Sequence, residues 1–349
     1  MTRHNITITD LARELNISPS TVSRALSNHP AISDETRKAV TELARRLNYK
    51  PNLQALNLLK KKTNTIGVVI PDITSYFYSS IITGIQDFFS PLGYNLILGQ
   101  SNESYEEELK IIHTFASVRV DGILIAPASN TTNVSHLREL AESRIPLVIF
   151  DRDCEEINVD KVFVNEYSGA FQAVDYLICS GCSKIAHLGG ATTISTSRHR
   201  MQGYLDALKK NSISVRDEFV IICDGFTPDD GAKAVKKLLS RDDIPDAVFA
   251  VSDSVAIGAM HAIKEAGISI PEQISVVGFD DILYSSWFKP SLTTVWQPVY
   301  EMGLLSARIL AKRIDESEEN FKPRIETLFP ELVIRGSSRP PGTNGPHRI

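Results

Sequence analysis

Thr7-Ile-Thr-Asp-Leu-Ala-Arg-Glu-Leu-Asn-Ile-Ser-Pro-Ser-Thr-Val-Ser-Arg-Ala-Leu26 reads as two short helices joined by a tight turn. Thr7 and Asp10 have the spacing of a capping box, which opens a helix with apolar positions Ile8, Leu11, Ala12 and Leu15. Asn16 and Ile17 supply the turn. Ser18 before Pro19 is an N-cap with proline at the first helical position. The helix that follows runs through Leu26 and ends near Asn28-His-Pro30. Ser33-Asp-Glu then starts a third helix, its acids on the positive end of the dipole, with Val40, Leu43, Ala44 and Leu47 at helical spacing.

Two helices on a tight turn, braced by a third, make a helix-turn-helix, whose second helix enters the major groove of DNA. That helix presents Pro19, Ser20, Ser23, Arg24 and Ser27, while Val22 and Leu26 face inward. The guanidinium of Arg24 can bond guanine O6 and N7 together, or it can hold a phosphate. Ser20 and Ser23 are short enough for bases or phosphates.

Charge agrees. The whole chain of 349 residues has a net charge of −5, yet residues 1–62 carry 11 basic against 5 acidic residues. The remainder holds 26 basic and 37 acidic ones. A basic head on an acidic body indicates a polyanion-binding module, although a solvated charged face would give the same count.

The stretches Ile8-Thr-Asp-Leu-Ala12, Ser18-Pro-Ser-Thr-Val-Ser-Arg-Ala-Leu26, Ile32-Ser-Asp-Glu-Thr-Arg37 and Leu47-Asn-Tyr-Lys-Pro-Asn52 resemble the lactose/galactose repressor (LacI/GalR) family of bacterial transcriptional regulators. The resemblance implies DNA contacts at Thr9, Pro19, Ser20, Thr21, Ser23, Arg24 and Asn28. It also implies a hinge helix over Leu53–Leu59 that orders on DNA, with contacts at Asn52, Ala55, Leu58 and Lys60. Leu58 holds the position of the family's minor-groove wedge, which kinks DNA at a cost of a few kcal/mol. From the residues, Pro51-Asn52 can cap a short helix there, with a flexible linker carrying solubilising lysines as the alternative. Leu56 stands where the family usually shows an arginine.

From Thr65 the pattern changes to apolar strand-like runs separated by amphipathic stretches. Residues 65–70, 94–98, 122–126 and 146–150 are such runs, and 79–90, 105–118 and 132–143 separate them. The alternation restarts at 184–189, 219–222, 247–251 and 275–279. This predicts an α/β body of two tandem doubly wound parallel-sheet lobes, with a ligand cleft at the carboxyl ends of the strands. Polar residues at those ends are the candidate contacts: Asp72, Asp151 with Arg152, Asp253, and Asp280 with Asp281. Carboxylates beside an arginine and aromatic faces suit a hydroxyl-rich ligand. Asp253 also fits a simple helix cap.

The resemblance continues through Arg119-Val-Asp-Gly-Ile-Leu124, Phe150-Asp-Arg152, Arg200-Met-Gln-Gly-Tyr204, Val277-Gly-Phe-Asp280 and Pro290–Pro298. It implies a periplasmic-binding-protein-like body with effector contacts at Asp151, Arg200, Asp280, Phe226, Phe77 and Tyr78, alongside Asp72, Thr196, Ser252 and Asp253. Ile194 stands where purine-sensing relatives carry an arginine, which favours a sugar or sugar derivative. Ser252 stands where some sugar-binding members have asparagine.

Domains are thus expected at 1–50 (head), 51–63 (hinge), 64–335 (two-lobed body) and 336–349 (a disordered tail, from its Pro, Gly and Ser content). The expected molecule is a cytoplasmic homodimer on pseudo-palindromic operator DNA, whose small-molecule effector alters DNA affinity. No cofactor or metal is expected. A dehydrogenase would need G-x-G-x-x-G after the first strand, and Gly67-Val-Val-Ile-Pro-Asp72 is not that. No P-loop or nucleophile elbow occurs, so no enzyme is indicated. A secreted sugar-binding protein would need an export signal and would lack the basic head. Cys179-Ser-Gly-Cys182 has no second ligand pair, and His113, His136 and His187 read as structural. No apolar run approaches the roughly 20 residues that span a bilayer.

Overall fold

The computed structural model describes residues 6–49, 62–129, 131, 133–143, 145–154, 156–315 and 322–341. The chain divides into two compact units, Met1–Asn64 and Thr65–Ile349.

The first unit holds α1 (Ile8–Glu14), α2 (Pro19–Leu26) and α3 (Asp34–Arg46). Each begins where the sequence places a cap. Thr7 and Asp10 close the capping box, with Thr7 N donating to Asp10 Oδ2 at 2.9 Å and Asp10 N to Thr7 Oγ1 at 3.3 Å. Ser18 accepts from Thr21 N at 3.1 Å and Ser33 from Thr36 N at 3.3 Å. Each also ends alike. Asn16, Asn28 and Asn48 take left-handed φ of 52°, 53° and 49°, and the amide after each bonds back into the last turn. Leu11, Val22, Ala25, Val40 and Leu43 form the buried centre.

The second unit is two α/β lobes. The first lobe has a parallel sheet of β1 (Thr65–Ile70), β2 (Asn95–Gln100), β3 (Gly122–Ile125), β4 (Leu147–Phe150), β5 (Asp160–Val164) and β11 (Ile325–Leu328), in the order β11-β5-β4-β3-β1-β2. Its helices are α4 (Tyr76–Phe89), α5 (Tyr105–Val118), α6 (Ser135–Glu142) and α11 (Val299–Asp315). The second lobe has β6 (Ile185–Gly189), β7 (Val220–Ile222), β8 (Ala247–Ala250) and β9 (Ser275–Val277), parallel in the order β7-β6-β8-β9. Around it lie α7 (Glu166–Cys179), α8 (Ser195–Lys210), α9 (Pro228–Leu239) and α10 (Asp253–Glu265). β10 (Thr294–Trp296) and β12 (Glu331–Val333) pair antiparallel beside it. The chain therefore crosses between lobes after β5, before α11 and after β11. Among the described residues, no helix is long and apolar enough to cross a membrane.

Two strands, β5 and β11, lie outside the predicted alternation. β5 opens with Asp160 and Lys161, which hides it from an apolar-run reading, and β11 is a largely exposed edge strand. Both are fixed by α11 through a tertiary contact: buried Asp160 accepts from Arg313 Nε at 2.6 Å and from Arg324 N at 2.7 Å. The expected disordered tail also needs correction. Ser337 and Ser338 are buried; Ser337 Oγ donates to Val276 O at 2.6 Å and accepts from Thr293 N at 2.8 Å. Residues 336–339 are thus part of the second lobe, because small Ser side chains complete the β9 and β10 backbone bonding. The predicted hinge contacts Asn52, Ala55, Leu58 and Lys60 lie outside the described residues.

Candidate ligand cleft and DNA-reading face

A cavity of about 400 Å³ opens between the lobes at the carboxyl ends of their strands. From the first lobe it is lined by Asp72 beyond β1, by Phe77 and Tyr78 on α4, by Glu103 beyond β2, and by Asp151 and Arg152 beyond β4. From the second lobe come Thr196 and Arg200 on α8, Phe226 before α9, Ser252 before α10, and Asp280, Ile282 and Tyr284 beyond β9. The parallel sheets bring these together, since every strand delivers its last residue to the same edge. Ile194 is buried and does not line the cavity.

The polar groups are held in pairs. Tyr78 donates its hydroxyl to Asp151 Oδ2 at 2.8 Å. Arg152 grips Glu103 with both terminal nitrogens, at 2.7 and 2.8 Å, and donates to Pro127 O at 3.1 Å. Arg200 donates Nε to Glu166 Oε2 at 2.6 Å and Nη1 to Val251 O, with Asp280 Oδ1 3.6 Å from Nη2. Its guanidinium lies 3.7 Å from the Phe279 ring centroid. Gln297 donates to Asp280 Oδ1 at 2.8 Å.

Burial sets the protonation. It raises Asp151, though Arg152 and the Tyr78 hydroxyl oppose it, and raises Asp280 well above the usual carboxylate range despite Arg200. Tyr78 is likewise raised by burial and stays a phenol donor. Burial also works against the Glu103 charge, but Arg152 outweighs it and the carboxyl is lowered. Asp151 and Asp280 have φ of 65° and 121°. Such backbone costs on the order of 1–3 kcal/mol for a non-glycine residue and concentrates at ligand sites.

Asp253 departs from its expected place. It is fully buried, does not line the cavity, and accepts from Ile282 N at 3.0 Å and Ser285 Oγ at 2.5 Å on one oxygen and from Thr294 Oγ1 on the other. Its carboxylate pins the loop after β9, so it positions Ile282 and Tyr284 rather than meeting ligand. Ser252 does both jobs, capping α10 through Val255 N at 3.3 Å and lining the cleft. Glu103 was not legible in the sequence: it lies three residues past a strand in a polar loop, and only the Arg152 contact gives it meaning. The remaining candidates resolve simply. His136 and His187 are buried, His136 against Glu108 at 2.7 Å, while His113 is exposed. Cys179 is exposed and Cys182 buried, and no cluster of potential metal ligands occurs among the described residues.

In the head unit, Thr9, Pro19, Ser20, Arg24 and Asn28 are exposed, and Thr21 and Ser23 are half-exposed. α2 buries Val22 and Ala25 and turns this polar face outward. Leu26 is only half-buried. Asn28 also has the left-handed backbone that ends α2, a structural reason for its type.

Residues 7–52 match the model of bacterial regulatory proteins of the lacI family, and residues 174–338 that of the periplasmic binding protein-like domain. Catabolite control protein A of Priestia megaterium is 36% identical over 329 residues, which are 92% of this chain and 98% of that protein. The lac repressor dimer bound to operator and the anti-inducer ONPF superposes with a TM-score of 0.85 at 25% identity, covering 96% of this chain and 99% of that one. The regulator CelR in complex with cellobiose gives a TM-score of 0.73 at 29% identity, with 95% and 100% covered. The chain therefore belongs to the LacI family, as a ligand-responsive, DNA-binding transcription regulator rather than an enzyme.

Proposed function

We propose that this protein represses carbohydrate-utilisation genes as a cytoplasmic homodimer and that a sugar or sugar derivative is its effector. The observation that carries this reading is the cleft itself, where Asp72, Asp151, Asp280, Arg200 and the Phe77, Tyr78 and Phe226 rings converge from both lobes. Carboxylates accept from vicinal hydroxyls and rings cover the apolar face of a sugar. Ser252 and Thr196 add hydroxyls on the second-lobe wall. Catabolite control protein A and the CelR–cellobiose complex support the assignment. The lac repressor dimer on its operator supports the two-fold arrangement. Trp287, 78% exposed, and the exposed Phe288 and Leu283 in the same stretch of chain offer apolar surface for the second copy.

On DNA, α2 lies in the major groove. Arg24 and Ser20 read base edges, and Thr9, Pro19, Thr21, Ser23 and Asn28 hold the register. Asn52, Ala55, Leu58 and Lys60 act at the hinge, with Leu58 as the minor-groove wedge. Ligand closes the cleft, and the change in lobe setting alters operator affinity.

The test selects duplexes from a random pool with the full chain, then titrates the winner by fluorescence anisotropy with and without cellobiose, glucose and ribose. A pseudo-palindromic site whose affinity changes at least about fivefold with one sugar is the expected result. Recovery of no duplex ends the regulator reading for this chain's head; a site indifferent to every sugar ends the sugar reading.

A further inference from the structure

We infer that the cleft takes an uncharged polyhydroxylated ligand, a neutral sugar, and discriminates against its phosphorylated and carboxylated counterparts. This rests on the sugar reading above and narrows it. A phosphate or carboxylate is normally recognised by a guanidinium that offers two parallel N–H donors to it. Arg152 has already made that commitment, and Arg200 is partly spent. Arg152 spends its fork on Glu103, with Pro127 O taking a further donor. Arg200 faces Glu166 through Nε, Val251 O through Nη1 and Asp280 beyond Nη2, and one of its faces is covered by Phe279. Arg152 thus presents no bidentate edge to the cavity, and on Arg200 what is left is Nη2, with Asp280 Oδ1 already 3.6 Å from it.

The charge balance points the same way. The carboxyl groups of Asp72, Glu103, Asp151 and Asp280 line the cavity against two guanidiniums, and among the described residues the lining contains no lysine or histidine. The amino-terminal ends of α4 and α8 open there without a side-chain cap, and each supplies about half a positive charge. Those of α9 and α10 are already answered, by the Thr227–Asp230 capping box and by Asp253 in the first turn. The acidic groups outnumber the guanidiniums and crowd one another: Asp280, first raised by burial, is raised further by its Asp253, Glu166 and Asp151 neighbours. An added anion would enter that field with only the two helix ends and Arg200 Nη2 to meet it, a poorer match than a bidentate guanidinium. A hydroxyl needs less. It donates to Asp280 or Asp72 and accepts single leftover guanidinium or backbone N–H donors.

The experiment measures binding to the full chain by calorimetry across matched sets: glucose, glucose 6-phosphate and glucuronate; galactose and galacturonate; ribose and ribose 5-phosphate; and cellobiose. A neutral member should bind, with its anionic counterpart at least about tenfold weaker. Glu103→Gln removes a negative charge and frees the Arg152 terminal nitrogens, leaving Arg152 only the Asp151 carboxyl 3.8 Å from Nε, and Asp72→Asn removes a charge at the rim. Each should narrow the neutral-to-anionic ratio about tenfold, chiefly by improving the anion. An anionic member that binds as tightly as its neutral partner overturns this inference and leaves the sugar reading intact. A ratio unmoved in both variants overturns it too. If no member binds at all, the sugar reading fails and this inference falls with it.

Discussion

Asn16 shows how a single side chain sets a boundary in this fold. It ends α1 with φ of 52°, while Asn16 N donates to Arg13 O at 3.3 Å and Ile17 N to Ala12 O at 3.0 Å. The left-handed region costs a Cβ-bearing residue about 1–2 kcal/mol, which asparagine offsets in part and glycine avoids. Asn16→Ala should therefore destabilise the head by about 1 kcal/mol while Asn16→Gly leaves it within a few tenths, measured by chemical unfolding. Equal stability of the two variants would contradict the assignment. His187 makes the same kind of argument in the body. It lies fully buried in β6 between the Tyr204 and Phe249 rings, with centroids 5.1 and 5.0 Å away, and Nδ1 meets Phe249 O at 3.0 Å. Burial drives its pKa down to about 4 from 6.5. A depressed imidazole gives stability that is full above pH 6.5 and lost as pH falls towards 4, by up to about 3 kcal/mol. Asp253 runs the opposite way, since burial raises it to about 6 from 3.8 and its contribution is lost as pH rises between them. Comparing variants separates the two. In His187→Phe the drop in unfolding midpoint between pH 7 and pH 4.5 should shrink; an unchanged drop would show that His187 titrates normally.

At the scale of elements, the fold depends on how closely helices approach. α9 and α10 touch backbone to backbone: a Cβ on Gly258 would sit 1.7 Å from Pro228 O, and one on Gly231 2.0 Å from Val255 O. Neither neighbour is a flexible side chain, so the helices themselves must part. Gly258→Ala should cost about 1–3 kcal/mol, lower the melting temperature by several degrees and weaken ligand binding, because Thr227 and Pro228 at the start of α9 line the cleft. Wild-type melting and ligand affinity in that variant would refute the close packing. What could be read in advance follows the same division between local and distant. The head was legible because its signals are local: Thr7, Ser18 and Ser33 each cap the helix they precede, and Leu11, Ala12 and Leu15, then Val40, Leu43 and Ala44, recur at helical spacing within their own helices. The strand-end acids Asp72, Asp151 and Asp280 were legible because an apolar run announces where it stops. β5, β11 and the role of Asp253 were not, since each is decided by a partner far away in sequence. Asp160 needs Arg313, and Asp253 looks like a helix cap until Ser285 and Thr294 arrive beside it. Glu103 belongs with these: a loop glutamate becomes a charge partner only when β4 sets Arg152 next to it.

For the molecule as a whole, the three crossings between lobes let either lobe move only by flexing connections shared with the other. One hydrogen bond already spans them, from Asp153 N beyond β4 to Ser195 Oγ at the start of α8 at 2.9 Å. Asp151 and Asp280 stand on opposite walls of the cleft, so a ligand held by both favours one lobe setting over others and is thereby coupled to it. Reading the hinge as the route to DNA separates two kinds of variant. Asp280→Ala removes the proposed ligand contact from the second lobe, and Arg200→Ala strips its counter-charge and that of Glu166. Both should abolish the effector's influence on operator affinity while leaving affinity in its absence within about twofold, since a coupling of about 1–3 kcal/mol is lost without touching α2. Leu58→Ala should do the reverse, weakening operator binding at least about tenfold and leaving sugar affinity alone. Anisotropy on the selected operator and calorimetry on the effector read the two quantities independently. A variant pair that moved both together would mean that cleft and hinge are one cooperative unit, and the separation of sensing from wedging would have to be abandoned.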